Sequence, residues 1–296
     1  MMAEAAAGHV KGMYIVGENP VASFPDSAAV EHGLTTLDFL LVQDIFPTET
    51  AALASVVLPA ASFAEKDGTF TNFEGRVQAV RQALRPLGDS RPDWEIMLAL
   101  AAAMGSPLPF ETLSDIEREI VELVPFYEAV GEGGDGAPAH RDGQPWSRRR
   151  LYERLFPSTF GRFWPVDYVP EEGPTDEYPL TLLTGAQLYA FGTGSRTSRS
   201  SWLQRFAPES YLEVAVSDAR RLEISDGEEV RVVSATGALD AVAKVTDAQP
   251  AGILFAPLAF PDGRVNGLFP AIVDAKSKTP ALGHCAVRLE RRHPHG

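Results

Sequence analysis

The pattern of apolar residues changes between the two halves of the chain, and this change limits the folds that the sequence can adopt. Up to about residue 127, short runs of consecutive apolar residues alternate with segments of helical periodicity, a pattern typical of an α/β layer with a parallel sheet. From about residue 178 onward, strand-like segments follow one another and are separated by turns such as Asp226-Gly227 and Thr236-Gly237. Because only one short helical stretch interrupts these strands, they predict a closed or nearly closed barrel.

A segment of different composition, residues 128–177, separates the two predicted domains, residues 1–127 and 178–296. It is rich in glycine and proline at its start and in proline and glutamate near its end. We therefore interpret it as a linker.

Continuous apolar runs predict three strands in the first domain, each covered on both faces: residues 13–17, 37–44 and 55–60. One helix is predicted over about 91–104 with Ser90 as its N-cap, and a second begins at Ser114 with Glu117 in a capping-box position. The apolar stripe of the first helix is expected to be core: Ile96, Met97, Leu100 and Met104.

The acidic composition excludes several kinds of partner. The formal net charge is −14 and the sequence pI is about 4.9, so the chain lacks the basic face that nucleic acid requires. No run reaches the roughly 18 to 20 apolar residues of a membrane-spanning helix, and the first residues lack the pattern of a secretory signal. We expect a cytoplasmic protein.

The sequence offers no catalytic constellation and no metal site. Its single cysteine, Cys285, excludes a disulfide framework and a thiolate-rich site for zinc or an iron–sulfur cluster within this chain. The neighbouring His284 lies in the same strand pattern, where adjacent side chains point to opposite faces. We therefore interpret Cys285 as a core thiol, and the six histidines show no ligand spacing.

Polar residues follow the first two predicted strands, at the edge of a parallel sheet where ligands bind. Those able to meet a purine or a ribose are Gly17, Glu18, Asn19, Gln43 and Asp44. Thr48 is placed to cap a helix and Thr50 lies in its first turn, so amide donors there could meet a phosphate. The alternative is that Thr48 is only a cap and Asn19 only a turn residue.

Two further segments carry unusually many polar groups. Residues 64–78 include Lys66, Asp67, Gly68 and Asn72, which suits either a large polar ligand or a surface crossover. Residues 184–201 are rich in glycine, hydroxyl groups and arginine, a composition that suits pyrophosphate or an anionic pterin. The stretch GTGSRT lacks the third glycine of the dinucleotide fingerprint.

Taken together, GENP, then LDFLLVQDIFPTETAALASVVLPAASFAEKDGTFTNFEGRVQAV, then RPDWEIMLALAAAMG resemble the third-domain segment of molybdopterin oxidoreductases. The second half, from YPLTLLTGAQLYAFGTGSRTSRS to KTPALGHCAVRLE, resembles their molybdopterin-dinucleotide-binding domain. These motifs are most similar to those of formate dehydrogenase catalytic subunits and of the large iron–sulfur subunit of bacterial NADH:quinone oxidoreductase. The resemblance implies a Rossmann-like α/β domain followed by a double-psi β-barrel.

The resemblance also implies a cofactor, molybdopterin guanine dinucleotide with molybdenum or tungsten. One dinucleotide arm would lie among the GENP, QDIFPTET and KDGTFTN loops. The barrel residues that would face the pterin ends are Thr184, Gly185, Tyr189, Thr193, Gly194, Arg199, Ser200, Asn266 and Lys278. The sequence departs from the family at Ala186, where an arginine is common, and at Gly192, where a histidine is common.

In the family, the iron–sulfur cysteines and the molybdenum ligand lie upstream of the segment that this chain resembles. The chain is therefore expected to be a fragment or one part of a split subunit, inactive alone, whose partners are the N-terminal half or iron–sulfur and electron-transfer subunits. Two hypotheses follow. The chain either holds the cofactor in a formate dehydrogenase-like enzyme, or serves as a structural and interaction module of the respiratory NADH:quinone oxidoreductase without a working molybdenum site.

Overall fold

A computed structural model describes residues 1–73, 77–124, 127, 163, 165, 173–206, 211–259, 264–274, 277 and 279–292 of the chain. The chain forms two compact units. The first unit comprises residues 1–57 and 169–296, and the second unit comprises residues 58–168. Most of the predicted linker lies outside the described residues.

A three-stranded sheet lies near the start of the chain, in the order β1-β2-β3. Its strands are β1 (Gly12–Val16), β2 (Phe39–Asp44) and β3 (Val56–Pro59). Strands β1 and β2 are parallel, with Tyr14 opposite Leu41. The predicted parallel sheet is confirmed.

Four helices accompany this sheet: α1 (Met2–Ala6), α2 (Pro20–Ser23), α3 (Ser27–Thr35) and α4 (Glu49–Ala52). Asp26 caps α3 by accepting a hydrogen bond from the backbone N–H of Ala29 at 3.0 Å. The helices and one face of the sheet enclose a small core of buried apolar residues, Ile15, Val21, Val30, Leu34, Leu40, Val42 and Ala51.

The prediction that each strand is covered on both faces is confirmed for β2 and wrong for β1 and β3. Tyr14, Val16 and Phe39, which share the face opposite the core, are exposed. On β2 all residues after Phe39 are buried, including Leu41 and Gln43 on that same face. This face of the sheet is therefore covered at β2 and open at β1.

The second half of the first unit is a closed barrel of six strands in the order β10-β6-β11-β8-β9-β7. Its strands are β6 (Leu180–Gly185), β7 (Tyr211–Ala215), β8 (Glu229–Ser234), β9 (Ala238–Thr246), β10 (Ile253–Pro257) and β11 (His284–Arg291). The pairs β10–β6 and β7–β9 are parallel. One short helix, α7 (Val216–Arg221), follows β7.

The barrel interior is filled by side chains that alternate along the strands. On β8, Val230, Val232 and Ser234 are buried, whereas Glu229 and Arg231 are exposed. This period of two is what a strand with one buried face requires. The predicted barrel is confirmed, and Cys285 lies in its core as expected.

The second unit contains an antiparallel pair, β4 (Gly68–Thr71) with β5 (Val77–Val80), and the helices α5 (Asp93–Ala103) and α6 (Leu113–Leu123). The helix starts differ from the predicted ones. Pro92, not Ser90, is the N-cap of α5, and the capping box of α6 pairs Thr112 with Asp115. A capping box joins residues three positions apart, so Thr112 pairs with Asp115 and the predicted box of Ser114 with Glu117 is not formed.

The apolar stripe of α5 was expected to be core, but only Ile96 is buried. Met97 and Met104 are exposed. Leucine and alanine occur all round this helix, so its composition does not fix which side is covered. No helix of the described residues is long and apolar enough to cross a membrane.

Candidate functional site

The ends of β1 and β2 meet at one edge of the small sheet. The backbone N–H of Gly17 donates to the carbonyl oxygen of Gln43 at 2.8 Å, and Gly17 has a φ of +63°, which favours glycine. The Gln43 side chain is fully buried and accepts a hydrogen bond from the Tyr14 hydroxyl. Two of the segments predicted to converge, 17–20 and 43–50, therefore do so.

Asn19 joins these two segments through its side-chain amide. Its Oδ1 atom accepts from the backbone N–H of Thr50 at 3.2 Å and from the Thr50 hydroxyl at 2.7 Å. Its Nδ2 atom donates to Glu49 Oε2 at 2.8 Å and to Ser195 Oγ at 3.3 Å. Asn19 is buried, and both donors and both acceptor positions of its amide are used within the chain.

The N-terminus of α4 is capped as predicted. The Thr48 hydroxyl accepts from the backbone N–H of Ala51 at 3.2 Å. Thr50 lies in the first turn as expected, but its backbone N–H is bonded to Asn19. These two amides are therefore not free donors, because other residues of the chain accept their hydrogen bonds. The phosphate contact at this turn stays a prediction.

A loop of the barrel, residues 186–206 after β6, contacts this edge. The Arg199 guanidinium donates to the carbonyl oxygen of Pro47 at 2.9 Å and lies 5.0 Å from the centroid of the Phe46 ring. The Arg199 Nε atom donates to the carbonyl oxygen of Ser195 at 3.1 Å. Arg199 thus fixes the shape of its own loop and holds that loop against the segment after β2.

Glu49 provides the negative charge at this junction. Partial burial acts to raise the pKa of its carboxyl, but its own backbone N–H and Asn19 donate hydrogen bonds to it, and the charges of Arg264 and Arg199 attract it. These contributions together hold the pKa below its usual value of 4.5. Glu49 is therefore ionised at neutral pH.

A second contact between barrel and helices lies at the turn Val265–Leu268. Asn266 Nδ2 donates to the carbonyl oxygens of Ala22 at 3.1 Å and Ser23 at 3.0 Å. Its Oδ1 atom is buried and has no hydrogen-bond partner among the described residues. Arg264, just before this turn, forms an ion pair with Glu31. Asn266 therefore has one side-chain acceptor still to be satisfied.

The remaining barrel residues predicted from the resemblance lie on or beside this loop. The Thr184 hydroxyl donates to the carbonyl oxygen of Leu282 at 2.7 Å, and the Thr193 and Ser195 hydroxyls lie 3.1 Å apart. Gly194 has a φ of +79° and passes close to Ala259. The others are Gly185, next to the Phe255 ring, Tyr189, whose ring lies 5.1 Å from that of Phe206, and Ser200, which accepts from Leu203.

The loop also concentrates positive charge. Residues 184–206 contain three arginines and no acidic residue in a chain of net charge −14. Arg196 and Arg205 are exposed, and no ion pair is found for either within the part of the chain that the structure describes. With the hydroxyls of Thr193 and Ser200, these groups are of the type that binds pyrophosphate.

Two of the predicted residues of the second unit, Lys66 and Asp67, bond with other residues of that unit. Lys66 forms an ion pair with Asp93, and Asp67 Oδ1 accepts from the backbone N–H of Gln82 at 2.8 Å. Gly68 begins β4 and Asn72 follows it. Whether residues 66–72 share a cleft with the two other segments stays a prediction.

Three further predicted residues complete the set. Glu18 accepts from the Ser23 hydroxyl at 2.5 Å, and the Asp44 carboxylate accepts from the backbone N–H of Ile45 at 2.6 Å. Lys278 lies outside the described residues.

Sequence reasoning did not single out Glu49, Phe46 or Arg264. Each is an ordinary residue type in a loop or helix, and its role depends on a partner far along the chain. A glutamate in the first turn of a helix is favourable in itself, so Glu49 carried no separate signal. No group of three or more potential metal ligands was found among the described residues.

Polar groups at the carboxyl edge of a parallel sheet, joined by a polar barrel loop, are typical of a protein that binds a large polar cofactor. Residues 1–103 match the family described as molybdopterin oxidoreductase, and residues 180–286 match the molydopterin dinucleotide binding domain. The chain belongs to the molybdopterin oxidoreductase family.

Its relatives include proteins of archaea and bacteria. The F420-dependent formate dehydrogenase 2 subunit alpha of Methanococcus maripaludis is 40% identical over 295 residues, which are 97% of this chain and 44% of that protein. An NADH-quinone oxidoreductase subunit of Rhizobium meliloti is 38% identical over 259 residues, 86% of this chain and 28% of that protein. The chain thus spans less than half the length of these relatives.

The fold is also that of a solved structure. Acetylene hydratase from Pelobacter acetylenicus superposes with a TM-score of 0.72 at 20% sequence identity, over 98% of this chain and 46% of that chain. At this identity the likeness shows the fold alone.

Proposed function

We propose that the chain binds a molybdopterin guanine dinucleotide as the C-terminal part of a formate dehydrogenase-like oxidoreductase. The observation that carries the proposal is the junction at which the barrel loop meets the ends of β1 and β2. Arg199 and Ser195 come from the segment that matches the dinucleotide-binding domain, and Pro47 and Asn19 come from the segment that matches the oxidoreductase family. In this proposal the sheet layer is Rossmann-like and the barrel is of the double-psi type.

The residues present suit this group. A loop with three arginines and several hydroxyls offers charge-assisted donors for a pyrophosphate, and the buried Asn266 Oδ1 needs a donor. In this proposal the barrel residues face the pterin ends of the group, and the segments 17–20 and 43–50 lie beside one dinucleotide arm. When bound, the group would supply two-electron chemistry at molybdenum or tungsten, while the protein orients it.

The same proposal assigns the partners and the location. Upstream residues of the enzyme, on the same chain or another subunit, would supply iron–sulfur ligands and the metal ligand, because this chain has one cysteine and that cysteine is buried. The assembled enzyme would work in the cytoplasm.

A second candidate is a structural module of a respiratory NADH:quinone oxidoreductase that lacks the cofactor. It is favoured by Ala186 and Gly192, which remove two polar side chains common in the family. The ion pair of Lys66 with Asp93 also favours it, because the charge of this lysine is already paired with a carboxylate of the chain. Loss of a charged partner for the cofactor would cost roughly 1.5 to 3 kcal/mol.

The two candidates are separated by metal analysis of the chain assembled with the upstream half of a formate dehydrogenase relative. The proposed function expects molybdenum or tungsten, and guanosine monophosphate after acid hydrolysis of the assembly. Iron–sulfur clusters without either metal or nucleotide would establish the structural module instead. Arg205→Ala should lower nucleotide content about tenfold or more, whereas Arg231→Ala, on a barrel strand, should leave it unchanged.

A further inference from the structure

Asn19 was expected to contact a ligand, but its amide is fully used within the chain. It accepts two hydrogen bonds from Thr50 and donates one each to Glu49 and Ser195. An additional ligand contact would require one of these bonds to break.

The four hydrogen bonds of the Asn19 amide join it to two different parts of the chain, α4 and the barrel loop. Those to Thr50 anchor Asn19 to the first turn of α4, whose N-terminus is capped by Thr48. The Nδ2 atom donates a third bond to α4, at the Glu49 carboxylate, and a fourth to the hydroxyl of Ser195 in the barrel loop. Asn19 therefore connects α4 with the barrel loop.

The loop is held at the same place by Arg199. Its guanidinium donates to Ser195 within the loop and to Pro47 outside it, and Glu49 attracts its charge. Asn19 orients Glu49 through a bond of 2.8 Å. Removing the Asn19 amide would thus loosen both Ser195 and the carboxylate that attracts Arg199.

We propose that Asn19 is a positioning residue, which holds the barrel loop at the sheet edge through Ser195 and Glu49 and does not itself contact the cofactor. The proposal rests on the proposed function only for what the loop binds. The holding of the loop is a property of the chain alone and can be tested without cofactor.

The test is limited proteolysis of the full 296-residue chain with trypsin, with cleavage sites identified by mass spectrometry. Arg196, Arg199 and Arg205 are cleavage sites within the loop. Cleavage of a folded protein follows local opening, so Asn19→Ala should increase the cleavage rate at Arg199 about tenfold. Cleavage at Arg231, within strand β8, should stay as slow as in the unmodified chain.

Asn266→Ala is the matched control, because it also removes a buried asparagine amide that donates two hydrogen bonds in the first unit. It should increase cleavage at Arg264 and leave Arg199 protected. If both variants expose Arg199 equally, the effect is general loosening and the proposal is wrong.

A second pair of variants tests the bond to Glu49 itself. Asn19→Asp retains the acceptor for Thr50 but places a carboxylate against the carboxylate of Glu49, so cleavage at Arg199 should rise. The double variant Asn19→Asp with Glu49→Gln restores a donor and an acceptor at this contact with their roles exchanged. It should return the rate to within about threefold of the unmodified chain.

Unchanged cleavage at Arg199 in Asn19→Ala would overturn the proposal. Rescue by the double variant would establish it even if the assembled enzyme bound no molybdenum cofactor, in which case only the proposed function would fail. Conversely, loss of nucleotide from an Asn19→Ala assembly whose loop stayed protected would make Asn19 a direct ligand.

Discussion

The carbonyl oxygen of Pro47 accepts a hydrogen bond of 2.9 Å from Arg199, which lies 152 positions later in the chain. This bond, with the stacking of the same guanidinium over Phe46, joins the sheet layer to the barrel within the first unit. The Asn19 and Asn266 contacts reinforce that junction, so its stability and its ligand binding are expected to be linked.

Arg199→Ala should lower the free energy of unfolding of the first unit by about 1 kcal/mol, because it removes an exposed cation–π contact and a charged hydrogen bond. Arg199→Lys should recover only part of this, since lysine keeps the charge but not the planar fork. Urea denaturation followed by circular dichroism measures both. Arg231→Ala is the control, because its exposed pair with Asp240 should contribute under roughly 0.5 kcal/mol. Equal losses for Arg199→Ala and Arg231→Ala would contradict the assigned contact.

Gly237→Ala should be strongly destabilising, although glycine is often replaceable in a turn. A Cβ atom there would lie 2.7 Å from the carbonyl oxygen of Gly267, so the backbone of one of the two turns must shift. We expect a loss of roughly 2 to 3 kcal/mol in the free energy of unfolding. Gly283→Ala is the matched control, because a Cβ atom there meets nothing within 4 Å. A tolerated Gly237→Ala would mean that the two turns do not pack as described.

Cys285 should be unreactive in the folded chain. Burial raises the pKa of its thiol to about 12 from a usual value of 9.0, so almost no thiolate exists at about pH 8. Iodoacetamide should label the chain rapidly in denaturing guanidinium and very slowly without it. Rapid labelling of the native chain under the same mildly alkaline conditions would show that the thiol is accessible.

The raised pKa of Cys285 should also make the free energy of unfolding depend on pH in the alkaline range. The unfolded thiol loses its proton from about pH 9, whereas the folded thiol keeps its proton up to about pH 12. The contribution of Cys285 is therefore intact below about pH 9 and decreases between about pH 9 and 12. The difference in unfolding free energy between the unmodified chain and Cys285→Ala should decrease across that window and stay constant at lower pH.

Glu49 should give the opposite dependence in acid. Its pKa is lowered in the folded chain from 4.5, so the stabilisation it provides is present above pH 4.5 and is lost as the pH falls through the folded pKa. The advantage of the unmodified chain over Glu49→Gln in urea midpoint should be largest at neutral pH and smaller in acid. An advantage that is independent of pH would mean that charge is not what Glu49 contributes.

The sequence by itself determined the architecture. The continuous apolar run of β2 predicts a strand of a parallel sheet, and the alternation of β8 predicts a barrel strand. Both predictions follow from the spacing of apolar residues along the chain. The Thr48 cap and the burial of the Cys285 thiol were also predicted from the sequence, because the first depends on neighbouring residues and the second on residue type. The helix starts were harder to predict. Thr112 and Ser114 are both good N-cap residues, and only the backbone geometry shows that Thr112 is the one used.

Only the tertiary structure decided what the candidate site residues do. Asn19 has the chemistry of a ligand, yet its amide is bonded to Thr50, Glu49 and Ser195. No local pattern could show this, because Ser195 is 176 positions away. The exposure of Tyr14 and Val16 on β1 could not be predicted for a similar reason, because an apolar strand shows that it can be covered but not whether other elements cover it. A hydrogen bond is satisfied by whichever partner the fold brings within about 3 Å, so residue type states the capacity to bind and the fold assigns the partner.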